Sequence, residues 1–268
     1  MIWIIGILVA ILSVLFYIAH KNTFAPEFTH IDIKIDNNKA KTPLHVLHLS
    51  DLHMENISVT PDQLYDQLKD KSIDLIALTG DYLDRVRSID KFLDYLHVLK
   101  KLDAKYGIYA VFGNHDYVIK QHIDSLKMVM ENAGVHVLIN ENRSLNVDGQ
   151  LINIIGIDDN HTKRSDVEKS YHGIKDGINL VLTHDPNLVL KMDEYHFDYL
   201  LSGHFHGGQI HYPKAYHLVK MGKLARRNVI KGLHFHHKKP FYISEGLGQT
   251  GINIRLRSKP EITLHTLS

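Results

Sequence analysis

Five short apolar runs in this chain each stop in residues that can bind a metal ion. Leu44–Leu49 leads into Ser50, Asp51, Leu52 and His53, and residues 73–78 lead into Thr79, Gly80 and Asp81. Residues 107–112 lead into Gly113, Asn114, His115 and Asp116; Ile178–Leu182 leads into Thr183, His184 and Asp185; residues 197–201 lead into Gly203, His204, Phe205 and His206. Runs of this length, bounded by glycine and turn residues, read as buried strands. In α/β sheets, ligands gather at the carboxyl ends of strands. A fold that brings these five ends together therefore places Asp51, His53, Asp81, Asn114, His184, His204 and His206 around one site. Taken singly, each has an ordinary reading: Asp51 or Asp81 as a helix N-cap, Asn114 as a turn residue, His184 as part of a capped turn before Asp185 and Pro186. Five strand ends that all finish this way point instead to two divalent ions sharing one carboxylate, a clamp for in-line displacement at phosphorus.

Composition narrows the ligand chemistry. The 268 residues, enough for one large domain, include 21 histidines and no cysteine. Without thiols there are no disulfides, iron–sulfur clusters or cysteine nucleophiles, and any ion is held by nitrogen and oxygen. That donor set suits two divalent ions, manganese first, with zinc or iron as alternatives. A net charge of +1 gives no global basic field, so no nucleic acid is expected as a partner. No Gly-x-Ser-x-Gly elbow marks a serine hydrolase.

Residues 2–19 are uncharged and almost wholly apolar, long enough to cross a bilayer, which takes about 17–25 residues. No Lys or Arg precedes the run and no small-x-small cleavage site follows it, so it reads as an uncleaved anchor. Trp3 and Tyr17 lie near its ends, where interfacial aromatics belong, and Lys21, Lys34, Lys39 and Lys41 follow it, which leans the rest of the chain toward the cytoplasm. After a linker, Ile31, Ile33 and Ile35 alternate with Asp32, Lys34 and Asp36 as a half-buried strand ending in Asn37 and Asn38. Helices are expected over 61–70 behind a Thr60 N-cap, over 88–102 with Phe92, Leu96 and Leu99 on one face, over 118–132 before Gly134, and over 186–192. Further strands are expected near 135–139, 144–147 and 151–157, with Asp148 and Gly149 as a hairpin turn, and over 228–235, 241–244 and Glu261–Leu267. Strands alternating with helices, with hairpins added, give the α/β class.

The order Asp-x-His, Gly-Asp, Gly-Asn-His-Asp, His, Gly-His-x-His is carried here by Asp51 and His53, Gly80 and Asp81, Gly113 to Asp116, His184, and Gly203 to His206. It resembles the calcineurin-like dimetal metallophosphoesterase superfamily. The apolar N-terminus, the Gly-Gly-Gln after His206, Gly246-Leu247-Gly248 and Pro260-Glu261-Ile262 are similar to its membrane-anchored branch, the small phosphodiesterases similar to UDP-2,3-diacylglucosamine hydrolases. The resemblance implies a metallophosphoesterase-type β-sandwich flanked by helices: residues 1–20 as a transmembrane anchor, 21–42 as linker and first strand, 43–268 as the metallophosphoesterase domain. It implies that Asp51, His53 and His206 hold one ion, that Asn114, His184 and His204 hold the other, and that Asp81 bridges them, with a hydroxide between the ions as nucleophile. His115 is implied as the group that touches the phosphoryl and protonates the leaving oxygen, with Asn114 and Arg85 also at the substrate. Asp84 stands where that imidazole's catalytic partner lies in the superfamily's protein phosphatases, and Asp116 is the alternative. Val86 departs from the glycine that usually follows there.

The implied reaction is hydrolysis of a phosphodiester or pyrophosphate on a membrane-associated or lipid-linked molecule, such as a UDP-diacylglucosamine-like substrate, with no obligate protein partner. A phosphodiesterase or phosphatase for soluble nucleotides is the alternative within the class; a non-catalytic membrane-bound module is the alternative outside it. Lys214, Lys220, Lys223, Arg226, Arg227 and Lys231, interleaved with Leu218, Val219, Met221 and Leu224, read either as a lid over anionic headgroups or as a solvated face. His234, His236 and His237 read as structural or surface residues.

Overall fold

A computed structural model describes residues 2–35, 42–211 and 213–268. The described residues form two six-stranded sheets. The first has the order β1 (Glu27–Ile33), β12 (Glu261–Leu267), β2 (Leu44–Leu49), β3 (Leu75–Leu78), β4 (Ile108–Ala110), β5 (Val135–Val137). The second has the order β10 (Gly232–His236), β11 (Lys239–Ile243), β9 (Tyr199–Ser202), β8 (Ile178–Leu182), β7 (Gln150–Gly156), β6 (Glu141–Val147). β2 to β5 are parallel, as are β7, β8, β9 and β11. β12 runs antiparallel to β2, and β1 runs parallel to β12. The parallel strands are buried on both faces, so Leu75–Leu78 and Ile178–Leu182 are continuous apolar runs instead of alternating ones.

The sheets share one core in which Val46, Leu75 and Tyr109 of the first meet Ile154, Leu180 and Leu201 of the second. Helices α2 (Pro61–Leu68), α3 (Ile89–Lys101) and α4 (Ile123–Asn132) bury Leu64, Phe92, Leu96 and Leu126 in a cluster with Leu47 and Ile76 of the first sheet. Short 3-10 segments at Pro186–Lys191 and Tyr216–Met221 put Leu188 and Leu218 in a cluster with Val181 and Leu200 of the second. Each such burial is worth about 1.5–3 kcal/mol. This is the expected mixed α/β sandwich flanked by helices.

Most elements lie where their sequence signals put them. Thr60 and Gln63 form a reciprocal capping box on α2. Asp148 and Gly149 have φ of 51° and 85°, the left-handed pair that a two-residue hairpin needs. The first strand lies earlier than the alternation around Ile31 to Asp36 implies, at Glu27–Ile33; Asp36, Asn37, Asn38, Lys39 and Lys41 lie outside the described residues. The helix expected over 118–132 is divided. A 3-10 segment, Asp116–His122, contains Lys120 at φ 50°, and only then does α4 begin. Tertiary bonds cause the break: Asp116 is clamped by backbone N–H groups of the Asp81 loop and by that of Gly113 in its own, and the Tyr117 hydroxyl donates to Asp158.

Helix α1 (Ile2–Lys21) buries only Ala19. Its most apolar stretch of 18 residues has a mean hydropathy of 2.8, and it is long and apolar enough to cross a membrane.

Candidate metal centre

Asp51 and His53 follow β2, Asp81 follows β3, Asn114 and His115 follow β4, His184 follows β8, and His204 and His206 follow β9. The site is therefore built by both sheets at the carboxyl ends of their parallel strands. Asp51, His53, Asp81, His204 and His206 all have left-handed backbones, with φ of 51°, 42°, 56°, 77° and 50°. That conformation costs a residue with a Cβ about 1–2 kcal/mol, and such strain gathers at functional sites. Close packing of the loops needs glycine: a Cβ on Gly113 would overlap the Asp81 carboxylate, and one on Gly203 that of Asp51.

The donor atoms converge in two groups, Asp51–His53–His206 and Asp81–His184–His204. His53 Nε2 and His206 Nε2 lie 3.2 Å apart, and His206 Nε2 is 3.2 Å from Asp51 Oδ1. His184 Nε2 and His204 Nδ1 lie 3.1 Å apart. Asp81 Oδ2 is 3.0 Å from His184 Nε2 and 3.6 Å from His53 Nε2, so a single oxygen reaches both groups. Two donors about 2.0–2.2 Å from one ion lie roughly 3 Å from each other, and the spacing here has that value. Asn114 lines the same cavity, and its buried Oδ1 has no hydrogen-bond partner. These nitrogen and oxygen donors, gathered at about 3 Å from one another, fit divalent ions.

Two of the imidazoles are held neutral by burial. Burial drives His53 down to about 3 and His204 to about 4, so each keeps a neutral ring and a free lone pair. His184 Nδ1–H donates to Thr79 O at 2.8 Å, which turns Nε2 toward Asp81; burial works against its charge, but the Asp81 carboxylate, with Asp51 behind it, holds the ring well above the ordinary histidine range. Burial opposes the Asp51 charge, yet His206, His184 and His53 hold its carboxyl well below the usual range. Asp51 also accepts from Ser50 Oγ–H at 2.6 Å and from the His204 N–H.

His115 lines the cavity beside these donors. Its Nδ1–H donates to Asp84 Oδ1 at 2.7 Å. Burial works against its charge, but the Asp84 hydrogen bond and the Asp81 charge raise it to about 9. Asp116 has a different position. Its Oδ1 accepts from the N–H groups of Tyr82 and Leu83, and its Oδ2 from those of Asp81 and Gly113. It ties the Asp81 loop to the Asn114 loop. Arg85 is exposed and lines a neighbouring groove with Glu55, Asp84 and Arg87, apart from the metal cavity.

Arg255 is the residue that sequence reading passed over. It is fully buried. Nη1 donates to Glu245 O at 2.8 Å, Lys259 O at 2.9 Å and Ser258 Oγ at 2.9 Å; Nη2 donates to Gly246 O at 3.0 Å and Gly248 O at 2.6 Å. Nη1 also reaches His206 O at 3.4 Å. Leu247 and Gly248 in turn donate their N–H groups to Ser50 O and Asp51 O. One guanidinium therefore grips the shelf behind Asp51 and the backbone of His206. The only sequence signal was the Gly246-Leu247-Gly248 and Pro260-Glu261 stretches on either side of it.

The cavity over the donors holds about 330 Å³. Asp81, Asn114, His115, His204 and His206 form its polar wall, and Ile210, Leu218, Met221 and Ile252 its apolar one. Of the basic segment, Lys220, Lys223 and Arg226 line an adjoining groove with His161 and Asp185. Lys231 pairs with Glu245 at 2.7 Å. His234 Nε2 bonds to Lys231 O, and His236 Nε2 to Asp193.

Residues 44–208 match the model of the calcineurin-like phosphoesterase family. The chain is 57% identical over 253 residues, 94% of each chain, to the uncharacterized metallophosphoesterase YkoQ of Bacillus subtilis. It is 29% identical to YkuE of the same organism, another uncharacterized metallophosphoesterase, over 83% of this chain and 78% of that one. It is 25% identical to the UDP-2,3-diacylglucosamine pyrophosphatase LpxG of Chlamydia muridarum over 82% of each. With two groups of metal donors at the strand ends where this family model matches, the chain belongs to the calcineurin-like phosphoesterase family and is a metal-dependent phosphoester hydrolase.

Proposed function

We propose that the protein hydrolyses a phosphodiester or pyrophosphate bond of a membrane-associated, lipid-linked molecule, with two divalent ions, manganese first, at the seven residues Asp51, His53, Asp81, Asn114, His184, His204 and His206. The observation that carries the dimetal reading is the Asp81 oxygen within 3.0 Å of one donor group and 3.6 Å of the other. When bound, such ions supply Lewis-acid stabilisation of the phosphoryl oxygens and an acidified water. The chain's own residues do the rest. Asp81 and Asn114 position their loops at the phosphoryl group, and Asp116 holds those two loops in register. His115, with Nδ1 committed to Asp84, keeps a proton on Nε2 for the leaving oxygen. Asp84 fixes the tautomer and favours the charged ring. Arg85, in its separate groove, contacts substrate only if the substrate extends beyond the metal cavity.

Three observations support the lipid-linked part of the reading: α1 as an apolar helix long enough to cross a membrane, cations in the groove beside the cavity, and likeness to a UDP-2,3-diacylglucosamine pyrophosphatase. Lys21 at the end of α1 and Lys34 after it favour a cytoplasmic catalytic domain. The test is hydrolysis by the full-length protein in detergent, reconstituted with manganese, zinc or iron. Bis-p-nitrophenyl phosphate, p-nitrophenyl phosphate and a diacyl phosphodiester are compared. Preference for diesters, highest with the diacyl one, is expected. Preference for the monoester would replace the reading with a phosphatase, and a well-folded sample with neither bound metal nor turnover would favour a non-catalytic module.

A further inference from the structure

We propose that the mouth of the metal cavity faces the bilayer that α1 enters, so that a phosphoester at headgroup depth reaches the site while its acyl chains stay in lipid. This rests on the anchor and phosphoesterase readings above and adds to them a docking face and a route of entry.

Topology supplies the first reason. The ligands sit at the carboxyl end of β2. β12 runs opposite to β2, and β1 runs with β12. The start of β1 at Glu27, and with it the end of α1, therefore lies at the ligand end of the sandwich.

The junction supplies the second. α1 passes through a 3-10 turn, Asn22–Phe24, almost directly into β1, and it is hydrogen-bonded to the domain at each step. Arg255 N–H donates to Ala19 O at 2.8 Å, His20 Nδ1 donates to Asn253 O at 2.8 Å, and Asn22 Nδ2 donates to Arg255 O at 3.0 Å. Thr23, fully buried, bonds to Ser58 at 2.8 Å. A helix end held this way is a fixed joint, unlike a Gly/Ser-rich tether.

The same loop forms the cavity wall. Thr250 and Ile252 line the cavity, and Asn253 and Arg255 hold the helix end. The Gln209 side chain, directly after the His206-Gly-Gly turn, donates to Thr250 O and Ile252 O at 2.9 Å each and accepts from Thr250 N–H. Metal loop, cavity lip and helix end are thus joined in a few residues, a span of roughly 10–15 Å of chain.

The chemistry of the lip fits lipid. Ile252 is 60% exposed and Ile210 40%, with Leu218 and Met221 on the same wall. The cavity, about 330 Å³ and open on one side, has room for a phosphoryl group and part of a headgroup. Lys220, Lys223 and Arg226 in the adjoining groove suit the anionic headgroups of such a surface.

The chain has no cysteine, so single labels are clean. Ile252→Cys and, at the opposite end of the sheets, Asp148→Cys are each labelled with an environment-sensitive fluorophore in the full-length protein in phosphatidylcholine–phosphatidylglycerol vesicles. The label at 252 is expected to shift to the blue and to be quenched by a lipid-borne quencher, and the label at 148 to do neither. Equal, water-like emission from both in vesicle-bound protein overturns the proposal. The label reads placement without turnover, so a protein that hydrolyses nothing still tests it; a protein that fails to float with vesicles removes the anchor reading and the proposal together. A second arm measures Ile252→Asp and Ile210→Asp. KM is expected to rise about tenfold more for vesicle-borne phosphatidyl-p-nitrophenol than for bis-p-nitrophenyl phosphate, and an equal rise for both sinks the lipid route.

Discussion

Among the described residues, the strand ends and one stretch of surface each bring the donor atoms of three metal-binding side chains within 4.8 Å of one another, and the two places differ in burial and in what holds the donors. At the strand ends, Asp51, His53 and His206 are buried. On the surface, Asp193, His236 and His237 meet with side-chain exposures of 62%, 21% and 68%. The buried donors sit on strained left-handed loops fixed by both sheets, with the Asp51 carboxylate already held by a hydroxyl and a backbone N–H. In the surface trio, His236 and His237 lie at the turn of the β10–β11 hairpin and Asp193 just after the Pro186–Lys191 segment, joined by direct bonds between the three; the His236 hydrogen bond holds Asp193 below the usual carboxylate range. Donor proximity is common at histidine-rich surfaces. A site differs in that the cost of ordering its donors has been met by folding before an ion arrives.

The largest break in that comparison is expected from Asp81→Asn. Loss of the shared carboxylate should lower metal content below two ions per chain and cost several kcal/mol of barrier lowering, about 10³-fold or more in turnover. Elemental analysis beside diester hydrolysis checks it; two retained ions with full activity would refute the bridging role. Next comes His115→Ala. Metal content should hold while kcat falls about 10²- to 10⁴-fold, least for p-nitrophenyl leaving groups. Asp84→Asn should fall less, about 10- to 100-fold, and equal losses across leaving groups would remove proton donation from the account.

Arg255→Met sharpens the comparison from behind the site. The Asp51–His53–His206 group should lose affinity for its ion about 10- to 100-fold while the other group keeps its own. Calorimetric metal titration reads this, and Arg255→Lys should restore part of the affinity. Uniform weakening of both sites would reduce Arg255 to general stability.

A pH prediction comes from a third histidine pair, inside the sandwich. Burial drives His48 to about 3, and His265 well below the ordinary histidine range. His48 Nε2 bonds to Thr79 Oγ1, and His265 Nδ1 to the Tyr199 hydroxyl. Both stay neutral when folded and take up protons near pH 6.5 when unfolded. Their stabilising effect is therefore complete above that pH and is lost as pH falls toward the folded values, at up to about 1.4 kcal/mol per pH unit for each ring. Melting curves of the Asp81→Asn protein between pH 7.5 and 5.5 separate this from metal loss, and His265→Gln should flatten the slope. The smallest effect belongs to the surface trio: Asp193→Asn should leave metal content unchanged and stability within about 0.5 kcal/mol, and a lost ion there would erase the distinction drawn above.

Much of the site was legible because its chemistry is local. A buried strand is a short apolar run, and the residue that ends it is next to it in sequence. Asp51, His53, Asp81, Asn114, His184, His204 and His206 could all be named that way, and helix α2 could be read from Thr60 and Pro61. The break at Lys120 could not, because residues 118–132 have helical composition throughout and the forces that divide them come from Asp158 and the Asp81 loop. The early position of β1 was hidden for a similar reason: its partner, β12, is more than 200 residues away.

The sequence by itself pointed to the class of reaction and to the candidate donors, since ligand type and strand-end placement are properties of short segments. Tertiary structure alone decided the choice between the two carboxylates near His115. Asp84 meets the ring, while Asp116 spends its oxygens on four backbone N–H groups. It also decided that a cation 49 residues after His206 grips that residue's carbonyl, and that the end of α1 lies on the loop that walls the cavity. Each is a contact between distant segments. Its energy depends on distances of a few ångströms that only the packed sheets set.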